Sequence, residues 1–297
     1  MKKIAILYSV LLVLLLSCKP TFNIDDWQNT GRERNDSIPI YHEEAPDTIQ
    51  KGIVFCIDDY YVEDFYQPEH YNYMQKMGIK MTYFICDYHI LDSTRKAIIR
   101  KFYQDGHEIA FHGTHHIRAT DYLKNHSIEE YINYEILPDL TLMKQDGYDI
   151  TDFSYPYGSH TKELDSVLFS RYFYFIKLGS TSFWFYSKPS DKKIIHPFPL
   201  DPGYWERYNL NMDMVINFID SANKANKIIM FYAHRWRDDD PIAFARFRMI
   251  MDYAKEKGFR FYTLQDLQKM DKDAAKIILT PDEVFPDKDW NDIDTLE

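Results

Sequence analysis

Two histidines and two adjacent aspartates carry the chemistry that this sequence encodes most clearly. His112 and His116 are four residues apart in the run Phe111-His112-Gly113-Thr114-His115-His116, so on a helical turn they share one face and can hold one metal ion. A third ligand is expected from Asp58-Asp59, which close an apolar run. One aspartate and two imidazoles with open positions are typical of a catalytic metal site. Spacing alone also fits a histidine-rich surface loop.

The first 17 residues predict the signal sequence of a bacterial lipoprotein. Lys2 and Lys3 form a basic start, and residues 4–16 are an apolar segment shorter than the ~20 residues that a spanning helix needs. Cys18 follows Leu-Leu-Ser, as in a lipobox, so we expect Cys18 to be lipidated. The lipid would anchor the protein to a membrane face outside the cytoplasm. A short uncleaved anchor is the alternative.

The length and charge of the chain bound its class. About 280 residues follow the signal sequence, enough for one large domain, since single α/β barrels run to ~250 residues. The net charge is −11 and no basic block exists, which predicts no nucleic-acid partner. Cys56 and Cys86 end two apolar runs. They fit either a disulfide or two small buried side chains, and we favour the second.

The pattern of polar and apolar residues divides the mature chain into three parts. Residues 18–50 are predicted to be a polar tether, because residues 30–39 show no periodicity and prolines follow. Residues 51–270 alternate apolar runs with helix-like segments, which predicts βαβ units, a parallel sheet and a barrel or distorted barrel. Residues 271–297 are acidic with two prolines, so a loosely packed tail is expected.

Polar clusters follow four of the predicted strands. Strands are predicted at residues 52–57, 80–86, 107–111, 153–155, 172–178, 194–198, 227–233 and 259–262. Helices are predicted at residues 63–77, 93–104, 127–145 with a kink at Pro138, 160–169, 212–222, 247–254 and 264–269. Chemistry in such folds sits at the C-terminal ends of the strands. Those ends carry Asp58-Asp59, His112 with His116, Pro156-Tyr157, and His234.

The order of these clusters resembles that of the polysaccharide deacetylases, carbohydrate esterase family 4, over about residues 51–268. An apolar strand ending in two aspartates matches residues 55–59, and His-x-x-x-His after a Gly-His-Glu-Ile strand matches residues 106–116. A segment ending in Pro-Tyr-Gly matches residues 154–158, and an apolar strand ending in histidine matches residues 228–234. The resemblance implies a deformed (β/α) barrel with about seven parallel strands.

The resemblance also implies a role for each site residue. Asp58 would be the general base that activates water on the metal, and His234 the general acid for the departing amine. The metal ligands would be Asp59, His112 and His116. They would hold one divalent ion, zinc in the first place, with cobalt, nickel or manganese as alternatives. The backbone N–H of Tyr157 would help to hold the oxyanion.

The chain departs from the family's pattern at two points. Ser154 stands where the family carries an arginine that helps to orient the base, and we find no Asp–Trp region, the fourth motif, between Ser180 and Trp205. The orientation of Asp58 is therefore open, and Arg235 is a candidate substitute for the arginine. His115 is expected to turn outward and His107 to be structural. Three tryptophans are candidates for a sugar groove or for rim packing: Trp184, Trp205 and Trp236.

The function implied by the resemblance is the metal-dependent removal of acetyl groups from an N-acetylated glycan outside the cytoplasm. The candidate glycans are peptidoglycan, a chitin-like polymer and poly-N-acetylglucosamine. An esterase that removes O-acetyl groups from xylan is one alternative, and a non-catalytic glycan-binding lipoprotein is another. The implied partners are the acetylated polysaccharide and the membrane that takes up the lipid anchor.

Overall fold

Ten parallel strands lie within the described parts of the chain and form the centre of the fold. The computed structural model describes residues 50–178, 193–207, 209–236, 241–270 and 274–286. The strands are β1 Gly52–Asp58, β2 Thr82–Ile85, β3 Glu108–Phe111, β4 Asp152–Ser154, β5 Phe175–Lys177, β6 Ile194–Ile195, β7 Phe198–Pro199, β8 Ile228–Ala233, β9 Arg260–Tyr262 and β10 Ile278–Leu279. All of their pairings are parallel.

Helices connect the strands and pack around the sheet. The α-helices within the described ranges are α1 Val62–Tyr66, α2 Pro68–Met77, α3 Ser93–Gln104, α4 Ala119–Tyr122, α5 Ile128–Tyr131, α6 Leu137–Gln145, α7 Lys162–Arg171, α8 Pro202–Arg207, α9 Met212–Ala225, α10 Pro241–Glu256, α11 Leu264–Met270 and α12 Pro281–Val284. Short 3₁₀ turns lie at Tyr88–Ile90, Pro156–Gly158 and Ala274–Ile277. None of these helices combines the length and apolar character needed to cross a membrane.

The sheet closes almost completely into a barrel. Its strand order is β10-β8-β1-β2-β3-β4-β5-β6, with β7 paired to β8 and β9 paired to β1. Only two residues separate β6, which pairs with β5, from β7, which pairs with β8. Residues 194–199 therefore close the ring between β5 and β8, and the ring has seven positions: β1 to β5, the β6–β7 segment and β8. The prediction of a deformed barrel with about seven parallel strands is confirmed.

Alternate residues of each strand fill the barrel interior. Val54 and Cys56 of β1 pack with Met230 and Tyr232 of β8 and with Phe84, Ala110, Phe175 and Ile195 in one buried cluster. Leu264 and Leu267 of α11 join that cluster. The intervening residues of β1, Ile53, Phe55 and Ile57, belong to the larger core under the outer helices. Because β1 is buried on both faces, its sequence is a continuous apolar run.

Two predicted helices are interrupted in the structure, each of them near a proline. The helix predicted at residues 63–77 is two helices, α1 and α2, because Pro68 lacks the N–H needed inside a helix and starts a new one. The helix predicted at residues 127–145 contains a π-turn at Ile132–Ile136, just before Pro138. The sequence indicated a kink at Pro138 but not its form.

Part of the predicted tail is folded. β10 pairs with β8 through Ile278 and Ile228, and the Phe285 ring lies 6.4 Å from that of Phe218. Residues 274–286 are therefore packed on the barrel and not loose, because apolar side chains among the acidic ones find a sheet edge to bury against. The predicted signal sequence, Cys18 and residues 18–49 of the tether lie outside the described residues, as does Trp184.

The two internal cysteines are buried and free. Cys56 lies in the barrel interior, and Cys86 follows β2 with 1% of its surface exposed. This confirms the prediction of two small buried side chains and excludes the disulfide alternative.

Candidate active site

The predicted site residues lie together at the C-terminal edge of the barrel interior. Successive side chains of a strand point to opposite faces, so residues two apart share a face. Asp58 follows the interior residue Cys56 by two positions. The same spacing takes Ala110 to His112, Phe175 to Lys177 and Tyr232 to His234. The strand register therefore directs four polar side chains toward the same end of the barrel axis.

Three of the predicted ligand atoms converge on one point. Asp59 Oδ1 lies 3.7 Å from His112 Nε2 and 3.4 Å from His116 Nε2. The two imidazole Nε2 atoms are 3.2 Å apart. Ligands about 2.0–2.1 Å from one tetrahedral ion lie roughly 3.3–3.4 Å from each other. The three side chains therefore fit a single divalent ion.

His112 is held in the tautomer that a metal ligand needs. Its Nδ1 donates to the carbonyl oxygen of Ser154 at 2.8 Å, which leaves the Nε2 lone pair free to point into the site. Burial lowers the pKa of His112 to about 4, and the charges of His116 and Lys177 act in the same direction against the opposing effect of Asp58. The imidazole is therefore neutral at physiological pH, which is its ligand form.

The two histidines meet through a loop, not through the helical turn that their spacing predicted. Residues 112–118 contain no helix, and Gly113 and His116 have φ of +96° and +52°. Asp59 has φ of +74°. Backbone strain of this kind in non-glycine residues is concentrated at functional sites. Convergence of the ligands depends here on loop geometry, which an i, i+4 rule cannot describe.

Cys86 is a second side chain within reach of the ligand cluster. Its Sγ lies 3.9 Å from Asp59 Oδ1, and Asp59, Cys86 and His116 offer ligand atoms within 4.8 Å of one another. Burial, followed by the charge of Asp59, raises the pKa of the Cys86 thiol, whereas metals bind the thiolate. His112, neutral and oriented, is the better third ligand.

Lys177 orients the predicted base. Its Nζ, fully buried, lies 2.6 Å from Asp58 Oδ2 and 3.3 Å from Ser154 Oγ. Burial by itself would raise the pKa of Asp58, but the charges of Lys177, His112 and His234 lower it to about 2. Asp58 Oδ1 is buried and has no hydrogen-bond partner within the described residues. One oxygen is thus fixed, and the other remains available.

Asp201 orients the predicted acid. It accepts two hydrogen bonds from His234, one from the backbone N–H at 2.9 Å and one from Nδ1 at 2.7 Å. Burial opposes the charged imidazolium, but the charge and hydrogen bond of Asp201, with the charges of Asp58 and Asp59, raise the pKa of His234 to about 9. The ring is 29% exposed, so solvent and substrate can reach it.

Tyr157 lies at the rim beside His116. The centroids of their rings are 4.7 Å apart, and 49% of Tyr157 is exposed. Its φ of +57° turns the backbone sharply within Pro156–Gly158. The Arg118 guanidinium lies 4.3 Å above the Tyr157 ring and braces it. The oxyanion role of the Tyr157 N–H stays a prediction.

Three other candidate residues, Arg235, Trp205 and Trp236, have structural roles and lie outside the site. Arg235 pairs with Asp64 at 3.0 Å and covers the Tyr61 ring, so it does not orient Asp58. Trp205 and Trp236 are 8% and 2% exposed and belong to the core, which removes both from a sugar groove.

Two further histidines match their expected places. His115 is 34% exposed and stacks on Tyr134, as an outward-turned residue would. His107 is buried and accepts the Met81 N–H at 3.0 Å, which is a structural role.

The sequence did not identify Lys177 or Asp201 as site residues, yet each left a signal. Lys177 is a lone cation in the apolar run Phe173–Leu178, and a lysine buried in a strand needs an anionic partner. Asp201 follows the apolar residues Phe198 to Leu200 directly, as Asp58 follows β1. It stands four residues before Trp205, inside the stretch where no Asp–Trp region was found.

Comparison with known proteins identifies the domain. The family model "Polysaccharide deacetylase" matches residues 45–170. That range includes Asp58, Asp59, His112, His116 and Tyr157, and it ends before Lys177, Asp201 and His234. The resemblance inferred from the motif order is confirmed, and residues 45–170 belong to the polysaccharide deacetylase family. No significant match to a curated protein was found.

Solved structures of two deacetylases and of a CE4 family pseudoenzyme align at low identity. The chitin deacetylase of the fungal pathogen Colletotrichum lindemuthianum aligns with a TM-score of 0.49 and 16% identity over 74% of this chain and 88% of its own. The peptidoglycan deacetylase PdaC of Bacillus subtilis aligns with a TM-score of 0.46 and 15% identity over 75% and 93%. A mutant of a CE4 family pseudoenzyme aligns with a TM-score of 0.48 and 14% identity over 75% and 68%.

Proposed function

We propose that this protein is a metal-dependent hydrolase that removes acetyl groups from an N-acetylated glycan outside the cytoplasm. One observation carries the proposal: ligand atoms of Asp59, His112 and His116 lie 3.2–3.7 Å apart beside Asp58. A divalent ion held by them would supply Lewis acidity, which lowers the pKa of water and polarises the acetyl carbonyl. Zinc suits the ligand set best, since it favours imidazole and carboxylate at tetrahedral spacing.

Asp58 is the proposed general base. Its ionised carboxylate, with the pKa held at about 2, can accept a proton from water throughout the neutral range. Lys177 holds Oδ2 at 2.6 Å, so Oδ1 is the oxygen that takes the proton. A fixed base saves the entropy of finding the right orientation during the reaction.

His234 is the proposed general acid. An amide nitrogen must gain a proton before it can leave, and His234, with a pKa of about 9, carries one at neutral pH. Because Nδ1 is engaged by Asp201, the proton would be delivered from Nε2. The N–H of Tyr157 is proposed to donate to the oxyanion as the carbonyl becomes tetrahedral.

The test is acetate release from N-acetylglucosamine oligomers and peptidoglycan fragments. We expect the metal-loaded protein to release acetate, to lose activity on chelation and to regain it on adding zinc. Asp58→Asn should lose most of this activity. Glu108→Gln, which alters a buried acid at the opposite edge of the barrel, is the matched control and should stay active. Metal-loaded protein that releases no acetate from amide or ester substrates would defeat the proposal.

The two alternatives give different results in the same assays. A xylan O-acetyl esterase would release acetate from acetylxylan, and His234→Ala would impair it less, because an ester leaving group needs less help from an acid. A non-catalytic lipoprotein would bind glycan in calorimetry equally well with and without metal. The missing arginine and Asp–Trp region favour the non-catalytic alternative. Lys177 and Asp201 weaken it, because they orient Asp58 and His234.

We also propose that the protein is held outside the cytoplasm by lipid on Cys18, with the polar residues after it as a tether. The basis is the signal-like segment of residues 1–17 and the Leu-Leu-Ser-Cys pattern. Metabolic labelling with a radioactive fatty acid in bacteria tests it. Label should enter the wild-type protein and be absent from Cys18→Ser, and an unlabelled wild type would refute the anchor.

A further inference from the structure

Glu135 is a buried acid next to the site that the proposed reaction does not use. Its side chain is fully buried. Oε2 accepts the backbone N–H of His115 at 2.9 Å, and Oε1 accepts that of Ile117 at 3.2 Å. The Glu135 carbonyl oxygen accepts the N–H of Thr114 at 2.9 Å. Glu135 therefore accepts hydrogen bonds from three backbone N–H groups of the loop that carries His112 and His116.

The loop is shaped around this carboxylate. Gly113 has φ of +96°, and a Cβ atom at that position would lie 2.3 Å from Glu135 Oε1. Only glycine lets the chain pass so close to the oxygen. His116 then takes φ of +52°, which brings its Nε2 back to 3.2 Å from that of His112. The two bends that create convergence both lie against Glu135.

A π-turn presents Glu135 to the loop. Pro138 has no N–H and its ring clashes with the carbonyl four residues earlier, that of Tyr134. The chain widens over Ile132–Ile136, and the Leu137 N–H bonds to the Ile132 carbonyl, five residues back. The neighbouring Tyr134 is left 44% exposed, with its ring stacked 4.1 Å from that of His115. Such π-turns occur frequently at functional sites.

We propose that Glu135 is a positioning residue for metal binding. By accepting the N–H groups of Thr114, His115 and Ile117, Glu135 fixes the loop in the one conformation that directs His112 and His116 to a common point. The inference rests on the proposed function only in taking Asp59, His112 and His116 as metal ligands, and it needs no turnover. Groups that orient metal ligands in this way typically contribute 10- to 100-fold in metal affinity.

The test compares metal affinity in Glu135→Gln and Glu108→Gln. In Glu135→Gln an NH₂ donor replaces one acceptor oxygen, so one loop N–H group faces another donor. Glu108 is a matched control, because it is also a buried glutamate that accepts a backbone N–H, that of Gln265 at 3.0 Å. Zinc affinity is measured by competition with a chromogenic chelator, after circular dichroism shows that each variant is folded. We expect a 10- to 100-fold weaker affinity for Glu135→Gln and less than a twofold change for Glu108→Gln.

Gly113→Ala is the second variant, for the case that Glu135→Gln does not fold. Its methyl group would force the loop and the Glu135 carboxyl group apart without changing the chemistry of Glu135, and zinc affinity should fall by a similar factor. Wild-type affinity in a folded Glu135→Gln, or in Gly113→Ala, would overturn the proposal, as would an equal loss in Glu108→Gln. If wild-type protein binds zinc but releases no acetate, the proposed function fails and this inference stands.

Discussion

The two ends of the barrel strands bury the same kinds of residues and shift their pKa values in opposite directions. The C-terminal edge holds Asp58 and His234; at the N-terminal edge, Glu108 faces the barrel interior and His107 packs against Tyr83 and Phe102 under the outer helices. The pKa of Asp58 is lowered to about 2, whereas that of Glu108 is raised well above its usual value. The pKa of His234 is raised to about 9, whereas that of His107 is lowered to about 3.

A charged partner explains the state of the C-terminal edge. Lys177 forms an ion pair with Asp58, and Asp201 forms one with His234. The ionised forms of Asp58 and His234 are therefore favoured despite their burial. Both groups are therefore charged at neutral pH, as the proposed base and the proposed acid must be.

At the N-terminal edge, burial prevails because the close partners are neutral or alike in charge. Burial is the main cause of the raised pKa of Glu108, followed by the charge of Asp152 and a hydrogen bond with it. Glu108 accepts from Thr82 Oγ1 at 2.8 Å and from the Gln265 N–H, and Glu108 Oε1 meets no N–H or hydroxyl donor in the described part of the chain. Glu108 can thus keep its proton and share it with Asp152.

The pKa shifts by themselves distinguish the proposed acid and base from the structural polar groups, without reference to any motif. Groups whose surroundings push their pKa values apart are the ones that can act as acid and base. Asp58 and His234 meet that criterion as a charged pair, and Glu108 and His107 do not. Changes that remove a charged partner should therefore affect catalysis at one edge, and changes at the other edge should affect stability alone.

The largest effect is expected from Asp58→Asn. The amide cannot accept a proton, so acetate release should fall by roughly 10²- to 10⁴-fold, while zinc affinity changes little. Turnover and chelator competition measure the two quantities. The comparison would break if Asp58→Asn kept wild-type turnover or if Glu108→Gln lost as much.

Asp201→Asn should move the alkaline limit of activity. His234 must carry its proton to act as an acid, so wild-type turnover should fall as the pH rises through about 9. Removal of the Asp201 charge lowers the pKa of His234, and the fall should begin at lower pH. Profiles of kcat against pH for both proteins show the shift, and identical profiles would contradict the role of Asp201.

Lys177→Met should both destabilise the fold and slow acetate release, because it removes the charged partner that orients Asp58. It leaves Asp58 buried without its cation, which typically costs about 3–5 kcal/mol in the free energy of unfolding. Denaturant unfolding measures this change. Lys80→Met is the control, because Lys80 pairs with Asp266 at 3.8 Å near the surface, where a pair contributes about 0–1 kcal/mol. An equal loss of unfolding free energy in the two variants would mean that the buried Lys177–Asp58 pair contributes no more than a surface pair.

Glu108→Gln should have the smallest effect on activity and a distinct effect on stability. A carboxyl group whose folded pKa is raised contributes stability below its unfolded pKa, about 4.3, and loses it as the pH rises through the folded value. Between these pH values the wild-type protein should lose up to about 1.4 kcal/mol per pH unit relative to Glu108→Gln. Urea unfolding from pH 4 to pH 8 tests this, and parallel curves would show that Glu108 does not hold the proton.

Local patterns were sufficient to predict most of the fold, and they picked out Asp58, Asp59, His112, His116 and His234, which the structure brings together. Continuous apolar runs identified β1 and β8, and a helix was predicted at residues 93–104, where α3 lies. Local rules failed where a proline changed the helix, as at Pro68 and Pro138, and in the tail, where β10 depends on a distant partner.

The sequence by itself determined that acids and histidines stand at the ends of buried strands, because strand period and burial are properties of neighbouring residues. Only the tertiary structure decided which charges meet: Lys177 reaches Asp58 across 119 positions, and Asp201 reaches His234 across 33. It also decided that a loop around Glu135, and not a helical turn, brings the two histidines together. Electrostatic and hydrogen-bond partners act through space, so their effect on pKa and orientation depends on how the barrel closes.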